Sequence, residues 1–196
     1  IKVNKVGIEK LLLNLDPSKA PGPDGIPPRV LNALSCEISP ILTTIFTRSL
    51  NTGAVPSAWR SANVTPVYKK GEHYKARNYR PISLTSICCK VLEHILVSTI
   101  MAHWEKHNVL VPNQHGFRGK RSCESQLIEL MDELTKNIDQ GYQTDVIVLD
   151  FAKAFDRVNH SLLCEKIKSY GITGKTNDLI KSFLSERKQK VVIDGD

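Results

Sequence analysis

The run Val146-Ile-Val-Leu149, leading straight into Asp150, constrains this chain more than any other stretch. Uninterrupted apolar and mostly β-branched, it fits a strand covered on both faces, so a buried central strand is expected over residues 146–150. Such a strand delivers a carboxylate at its C-terminal end. A bare carboxylate there is costly unless a cation meets it, and a divalent metal is the usual partner. Asp150 is therefore expected to be a metal ligand on physical grounds. Asp156 follows after the small and basic residues Ala152, Lys153 and Ala154, and is expected to cap or pair locally.

The surrounding pattern is mainly helical. Residues 6–15 read as a short apolar helix, broken by the Pro/Gly loop of residues 16–25. Pro27-Pro28 suits a helix start, and Pro40 is expected to divide two helices whose apolar positions run from Val30 to Leu50. Residues 62–68 read as extended, with Pro66 arguing for an edge strand. Residues 90–104 are helical. In residues 122–139, Leu127, Leu130, Met131, Leu134 and Ile138 form one stripe behind Ser122, an expected N-cap. Residues 160–170 and 177–186 read as further helices, and residues 188–193 begin a last strand. Helices outnumber strands without regular alternation, so the fold class is α+β.

The chain of 196 residues carries a formal charge of +7, which favours an anionic partner. Its distribution is more telling. Residues 59–90 hold Arg60, Lys69, Lys70, Lys75, Arg77, Arg80 and Lys90 against a single acid, Glu72. The cysteines are odd in number and never spaced as C-x-x-C, which argues against a disulfide framework or zinc site and for a reducing, intracellular setting. No run of apolar residues reaches the length needed to span a bilayer, so no membrane partner is expected. Gly171-Ile-Thr-Gly-Lys-Thr176 has its glycines too close for a phosphate-binding loop and follows a helix.

Five blocks stand in a definite order: Lys19-Ala-Pro-Gly-Pro-Asp-Gly-Ile26, Trp59-Arg-Ser-Ala-Asn-Val-Thr-Pro-Val-Tyr-Lys-Lys-Gly71, Asn78-Tyr-Arg-Pro-Ile-Ser-Leu84, Gln114-His-Gly-Phe-Arg118, and Leu149-Asp-Phe-Ala-Lys-Ala-Phe-Asp-Arg-Val-Asn-His160. Together they resemble the reverse transcriptases of non-LTR retrotransposons of the jockey-like type. The resemblance implies a right-hand polymerase fold, with residues 1–142 as fingers plus N-terminal helices. Residues 143–196 would be the first part of the palm, truncated before the later Asp-Asp hairpin. It implies an RNA-directed DNA polymerase that uses dNTPs, an RNA template and a DNA primer. Two Mg²⁺ ions, with Mn²⁺ as the alternative, would stabilise charge on the reacting phosphate.

The resemblance also assigns roles. Asp150 becomes the catalytic metal ligand, joined by the backbone carbonyl of Phe151. Lys69 and Arg80 become the triphosphate grip, with Lys70 an alternative to Lys69. Lys153 and Ala154 offer backbone N–H groups to the triphosphate tail, and Phe155 is the ring under the sugar that excludes a 2′-hydroxyl. Gln114, Gly116 and Phe117 shape the fingers–palm floor near the template. Gly116 there serves either close backbone approach to nucleic acid or a turn with positive φ. The chain reads as a fragment of something longer. With one carboxylate in place of the family's three, the isolated piece is expected to be inactive. Residence in nucleus and cytoplasm follows from the resemblance. Two other readings stand beside it: a catalytically dead remnant that only binds nucleic acid, and a group II intron maturase-type enzyme. The Lys19–Ile26 opening and the Ala154–His160 continuation favour the retrotransposon form.

Overall fold

Asn4 starts the first helix, its side chain accepting the Gly7 N–H at 2.8 Å, and α1 runs Lys5–Leu13. The computed structural model describes residues 1–193. They fall into two compact units, one made of Ile1–Thr99 and the chain from His160 onward, the other of Ile100–Asn159.

In the first unit, α2 (Pro28–Ala33) opens with proline at its first position, where no intrahelical N–H is needed. The break before α3 (Ser35–Thr52) falls at Leu34, with φ −106° and ψ 28°, and not at Pro40. Pro40 is carried inside α3. A proline there strips the carbonyl four residues back of its N–H donor. The carbonyl concerned is that of Cys36, and the buried Ser39 hydroxyl donates to it at 3.2 Å. The helix continues because a neighbouring side chain replaces the lost donor.

Ile8 and Leu12 of α1, Leu31 of α2, and Leu42 and Phe46 of α3 pack into one core with Trp59 and Leu179. Trp59 meets Phe46 edge-on, with ring centroids 5.9 Å apart. Helix α4 (Ile87–Lys106) is longer than the sequence pattern suggests. By length and composition it could cross a membrane, contrary to the expectation that no segment is apolar enough. Its residues Ile87, Cys88, Cys89, Val91, Leu92 and Leu96 are buried in the same core, which accounts for its apolar character. Burial pushes the Cys88 thiol up to about 11 and the Cys89 thiol further, so neither is a ready thiolate.

Helices α6 (His160–Ser169) and α7 (Gly174–Leu184) are tied by the Asn177 amide, which donates to the carbonyls of Cys164 at 3.0 Å and Ile172 at 3.1 Å. Through Leu179, α7 reaches the core that α1 and α3 build. Strands β1 (Ser61–Tyr68), β2 (Tyr79–Thr85) and β3 (Lys188–Val191) form a sheet in the order β2-β1-β3. β1 and β2 are an antiparallel hairpin from Ala62↔Thr85 to Tyr68↔Tyr79, whereas β3 runs parallel to β1 from Ser61↔Lys188 to Val64↔Val191. The strand carrying Pro66 is therefore central, not an edge. Proline is tolerated because, among the described residues, β3 pairs only as far as Val64, and across the hairpin Pro66 faces Pro81.

The second unit contains α5 (Cys123–Asp139), started by a capping box in which Ser122 and Ser125 exchange side-chain and backbone hydrogen bonds. The apolar stripe on α5 is present but no residue of the helix is buried. Residues 146–150 form no strand, and Ile147, Val148 and Leu149 are 82%, 85% and 83% exposed. The expectation of a buried strand ending at Asp150 is thus overturned. A strand exists only through a hydrogen-bonded neighbour, and no strand among the described residues pairs with this run.

Candidate functional site

In the first unit the candidate residues stand on the β1–β2 hairpin. Its tip, residues 69–78, is stitched together: Lys69 N–H donates to Asn78 O at 2.9 Å, the Asn78 amide to Glu72 O at 2.8 Å, and Tyr79 Oη to His73 O at 2.8 Å. Tyr68 stacks on His73 at 3.9 Å between centroids and meets Tyr79 edge-on at 5.7 Å. Tyr79 is thus occupied in hairpin packing. Gly71 turns the chain at φ +89°, close enough to Asn78 that a Cβ would lie 2.7 Å from its Nδ2.

This tip displays charge. Arg60 is drawn to Glu186 and Lys75 to Glu72. Lys69, Lys70, Arg77 and Arg80 are exposed and have no carboxylate partner among the described residues. Val67 lies across from Arg80. Strand alternation then places Lys69, two residues beyond Val67, on the same side of the hairpin as Arg80. The pair assigned to the triphosphate shares one face.

In the second unit the loop of residues 114–118 is fastened on both flanks. Buried His115 has Nδ1 3.1 Å from Asn113 O and Nε2 3.4 Å from Glu129 of α5, with Arg121 at 3.4 Å. Arg118 donates to Glu105 through Nε at 2.9 Å and Nη2 at 2.6 Å, and to Val111 O through Nη1 at 3.0 Å. The forked guanidinium holds the Glu105 carboxyl below its usual range. Between these fastenings Gln114 donates to Gly116 O at 3.2 Å. Gly116 has no positive φ, and a Cβ added to it would meet nothing within 4 Å. The turn reading of Gly116 is thereby set aside. The left-handed residue of the block is Phe117, at φ +60°. His115 and Arg118 are site-building residues whose roles sequence reasoning missed, because their partners lie on helices outside the motif.

Asp150 is exposed, at the end of the irregular run. Residues 152–157 then coil into turns, with Arg157 N–H on Lys153 O at 3.2 Å. Lys153 has φ +53°, a left-handed position of the kind that brings successive N–H groups to one side. Asp156 lies in these turns and is not the cap of α6, since the residue before that helix is Asn159. The Phe155 ring meets Phe117 edge-on.

The described residues thus form a protein of mixed helix and sheet whose hairpin presents exposed cations. Residues 67–195 match the family model of the reverse transcriptase (RNA-dependent DNA polymerase), and the chain belongs to that family. The matched span contains every site residue from Lys69 to Phe155. The RNA-directed DNA polymerase from mobile element jockey of Drosophila funebris is 31% identical over 96% of this chain. The probable RNA-directed DNA polymerase from transposon BS of Drosophila melanogaster is 27% identical over 92%. The Pol polyprotein from the type-1 retrotransposable element R2 of Popillia japonica is 30% identical over 68%. The chain spans 20% of the length of the first two and 18% of the third.

Reverse transcriptases generally use divalent metal ions. Among the described residues no group of three or more His, Cys, Asp or Glu side chains could hold one. Asp150 offers one carboxylate, which is short of the ligand set a hard divalent cation needs.

Proposed function

We propose that this chain is the fingers and first part of the palm of a right-hand RNA-directed DNA polymerase from a non-LTR retrotransposon. The observation that carries this reading is the hairpin face on which Lys69 and Arg80, among the described residues, stand free of carboxylates, inside the span that matches the family. Lys69 brings a point charge and Arg80 a fork suited to two phosphate oxygens, a sensible pair for a nucleoside triphosphate. Lys153 and Ala154 contribute backbone N–H groups toward the same tail. Phe155 sits under the sugar and excludes a 2′-hydroxyl by bulk. Gln114, Gly116 and Phe117 form the floor beneath the template.

Asp150 and the Phe151 carbonyl are two ligands of a larger metal centre, with Mg²⁺ as its ion and the remaining carboxylates supplied by other parts of the polymerase. The substrates are an RNA template, a DNA primer and dNTPs. The bound ions stabilise charge on the transferring phosphate. This chain's own share is to hold the triphosphate and to reject the wrong sugar.

The test is primer extension by the full-length protein. Arg80→Ala should raise the KM for dNTP with smaller effect on RNA affinity. Asp150→Asn should abolish incorporation while primer–template binding persists. Incorporation that survives Asp150→Asn sinks the metal assignment, and a defect of Arg80→Ala confined to template binding sinks the triphosphate grip.

A further inference from the structure

Away from the hairpin tip, the first unit holds a cavity of about 480 Å³ where α1, the Pro/Gly loop, the end of β2 and the start of α4 meet. Leu11, Leu15, Pro28, Leu84, Ile87 and Val91 make its apolar wall. Pro28, Ile87 and Val91 are buried, so this wall is part of the packed core and is already formed. A preformed apolar cavity of about 300–1,000 Å³ with a few polar groups at its mouth has the character of a small-molecule site.

The polar groups at the mouth favour one sign of charge. Lys90 and His94 both line the cavity from α4 and stand one helical turn apart. Ile87 and Val91 precede them by three residues each, so the two polar heads rise beside the apolar wall on one helix face. Lys90 is exposed and has no carboxylate within ion-pair distance among the described residues. The lining acid, Asp16, is already occupied. It accepts from the Ser18 hydroxyl at 2.6 Å and the Ser18 N–H at 2.9 Å, and faces Lys19 at 3.5 Å.

We infer that this cavity binds a small amphipathic organic anion. Its aliphatic or aromatic body fills the apolar wall, and its acid group meets Lys90 and His94. Lysine suits the rim, because its methylene stem covers apolar surface while the ammonium stays at the mouth. The occupant touches Ala20 of the Pro/Gly loop and Leu84 of β2, and so ties the loop to the strand. This site stands apart from the polymerase reading and does not rest on it. A lysine that only solvates a helix face would leave the affinity for such an anion untouched.

The probe is dodecanoate, titrated below its micelle concentration into the full-length protein by isothermal titration calorimetry. Salt at about 0.15 M screens the net charge of the chain. Hydrogen exchange at residues 16–28 is the second reading, and bound dodecanoate should slow it. Lys90→Gln should weaken binding about tenfold, the scale of one charge-assisted hydrogen bond. Lys90→Arg should retain it. Ala20→Trp, which plugs the mouth from an exposed position, should abolish both binding and protection. Dodecylamine, of similar body and opposite charge, should bind far more weakly than dodecanoate. Absence of dodecanoate binding overturns the site, and so does binding that leaves exchange at residues 16–28 unchanged. Equal affinity for dodecylamine, or indifference to Lys90→Gln, overturns the preference for an anion. Thermal melts must match wild type. Should Ala20→Trp fail that check, the wild-type exchange and the surface variant Lys90→Gln still decide the matter.

Discussion

Phe117 and Phe155 stand edge to face, ring centroids 6.2 Å apart and planes at 87°, although each is more than three-quarters exposed. Two aromatic rings that touch each other and little else make a surface suited to a flat or apolar ligand group. Phe117 reaches it from a left-handed backbone position that bulky residues rarely adopt. The fastened neighbours His115 and Arg118 hold it there.

If Phe155 gates the sugar, its discrimination depends on the ring beside it. Phe155→Val should raise ribonucleotide use, and Phe117→Gly should lower the dNTP/rNTP ratio of kcat/KM by about 3- to 10-fold, the scale of one aromatic contact. Glycine suits the φ of residue 117 and removes only the ring. Phe117→Tyr should restore the ratio. A change in overall rate at constant ratio argues against the contact's part in discrimination.

His115 is the buried pin between the loop and α5. His115→Ala should loosen residues 113–121 by about 1–3 kcal/mol, the range for losing buried polar contacts. Hydrogen exchange reads this directly. Unaltered protection of those amides means that Arg118 alone holds the loop.

The Arg118–Glu105 pair makes this loop acid-sensitive. Glu105 is depressed in the folded state by its hydrogen bonds to Arg118. Its stabilisation is therefore complete above the ordinary value of 4.5 and is lost as pH falls through the lower folded value. Denaturation of wild type and Glu105→Gln should converge below pH 4.5 and separate above it. Parallel curves across that range would remove the pair from the account.

Gly22 approaches β2 so closely that a Cβ would lie 2.5 Å from the Thr85 carbonyl carbon and oxygen. Backbone atoms cannot yield as a flexible side chain can. Gly22→Ala should cost about 1–3 kcal/mol in a urea titration, the usual range for overpacking. No loss of stability would mean the Pro/Gly loop can move away from the strand.

Much of the fold is legible in residue order because it depends on local chemistry. Ser122 as a cap, the Pro28 start and the periodic helices follow from hydrogen-bonding needs that a few neighbouring residues satisfy. The candidate site is legible only in part. The motifs point to Lys69, Arg80, Phe117, Asp150 and Phe155, but not to which cations lose their charge to carboxylates, nor to the contact between Phe117 and Phe155.

The family, the basic hairpin and the position of the aspartate are set by residue order alone, because each is written in contiguous residues. Folding settles the rest: that Pro40 stays inside a helix, that β3 brings Lys188 and Lys190 beside β1, and that Val146–Leu149 is an exposed run and not a strand. One cause underlies all three. A helix satisfies its backbone within itself, whereas a strand, a cationic face or a replaced hydrogen bond depends on which partner the folded chain brings alongside.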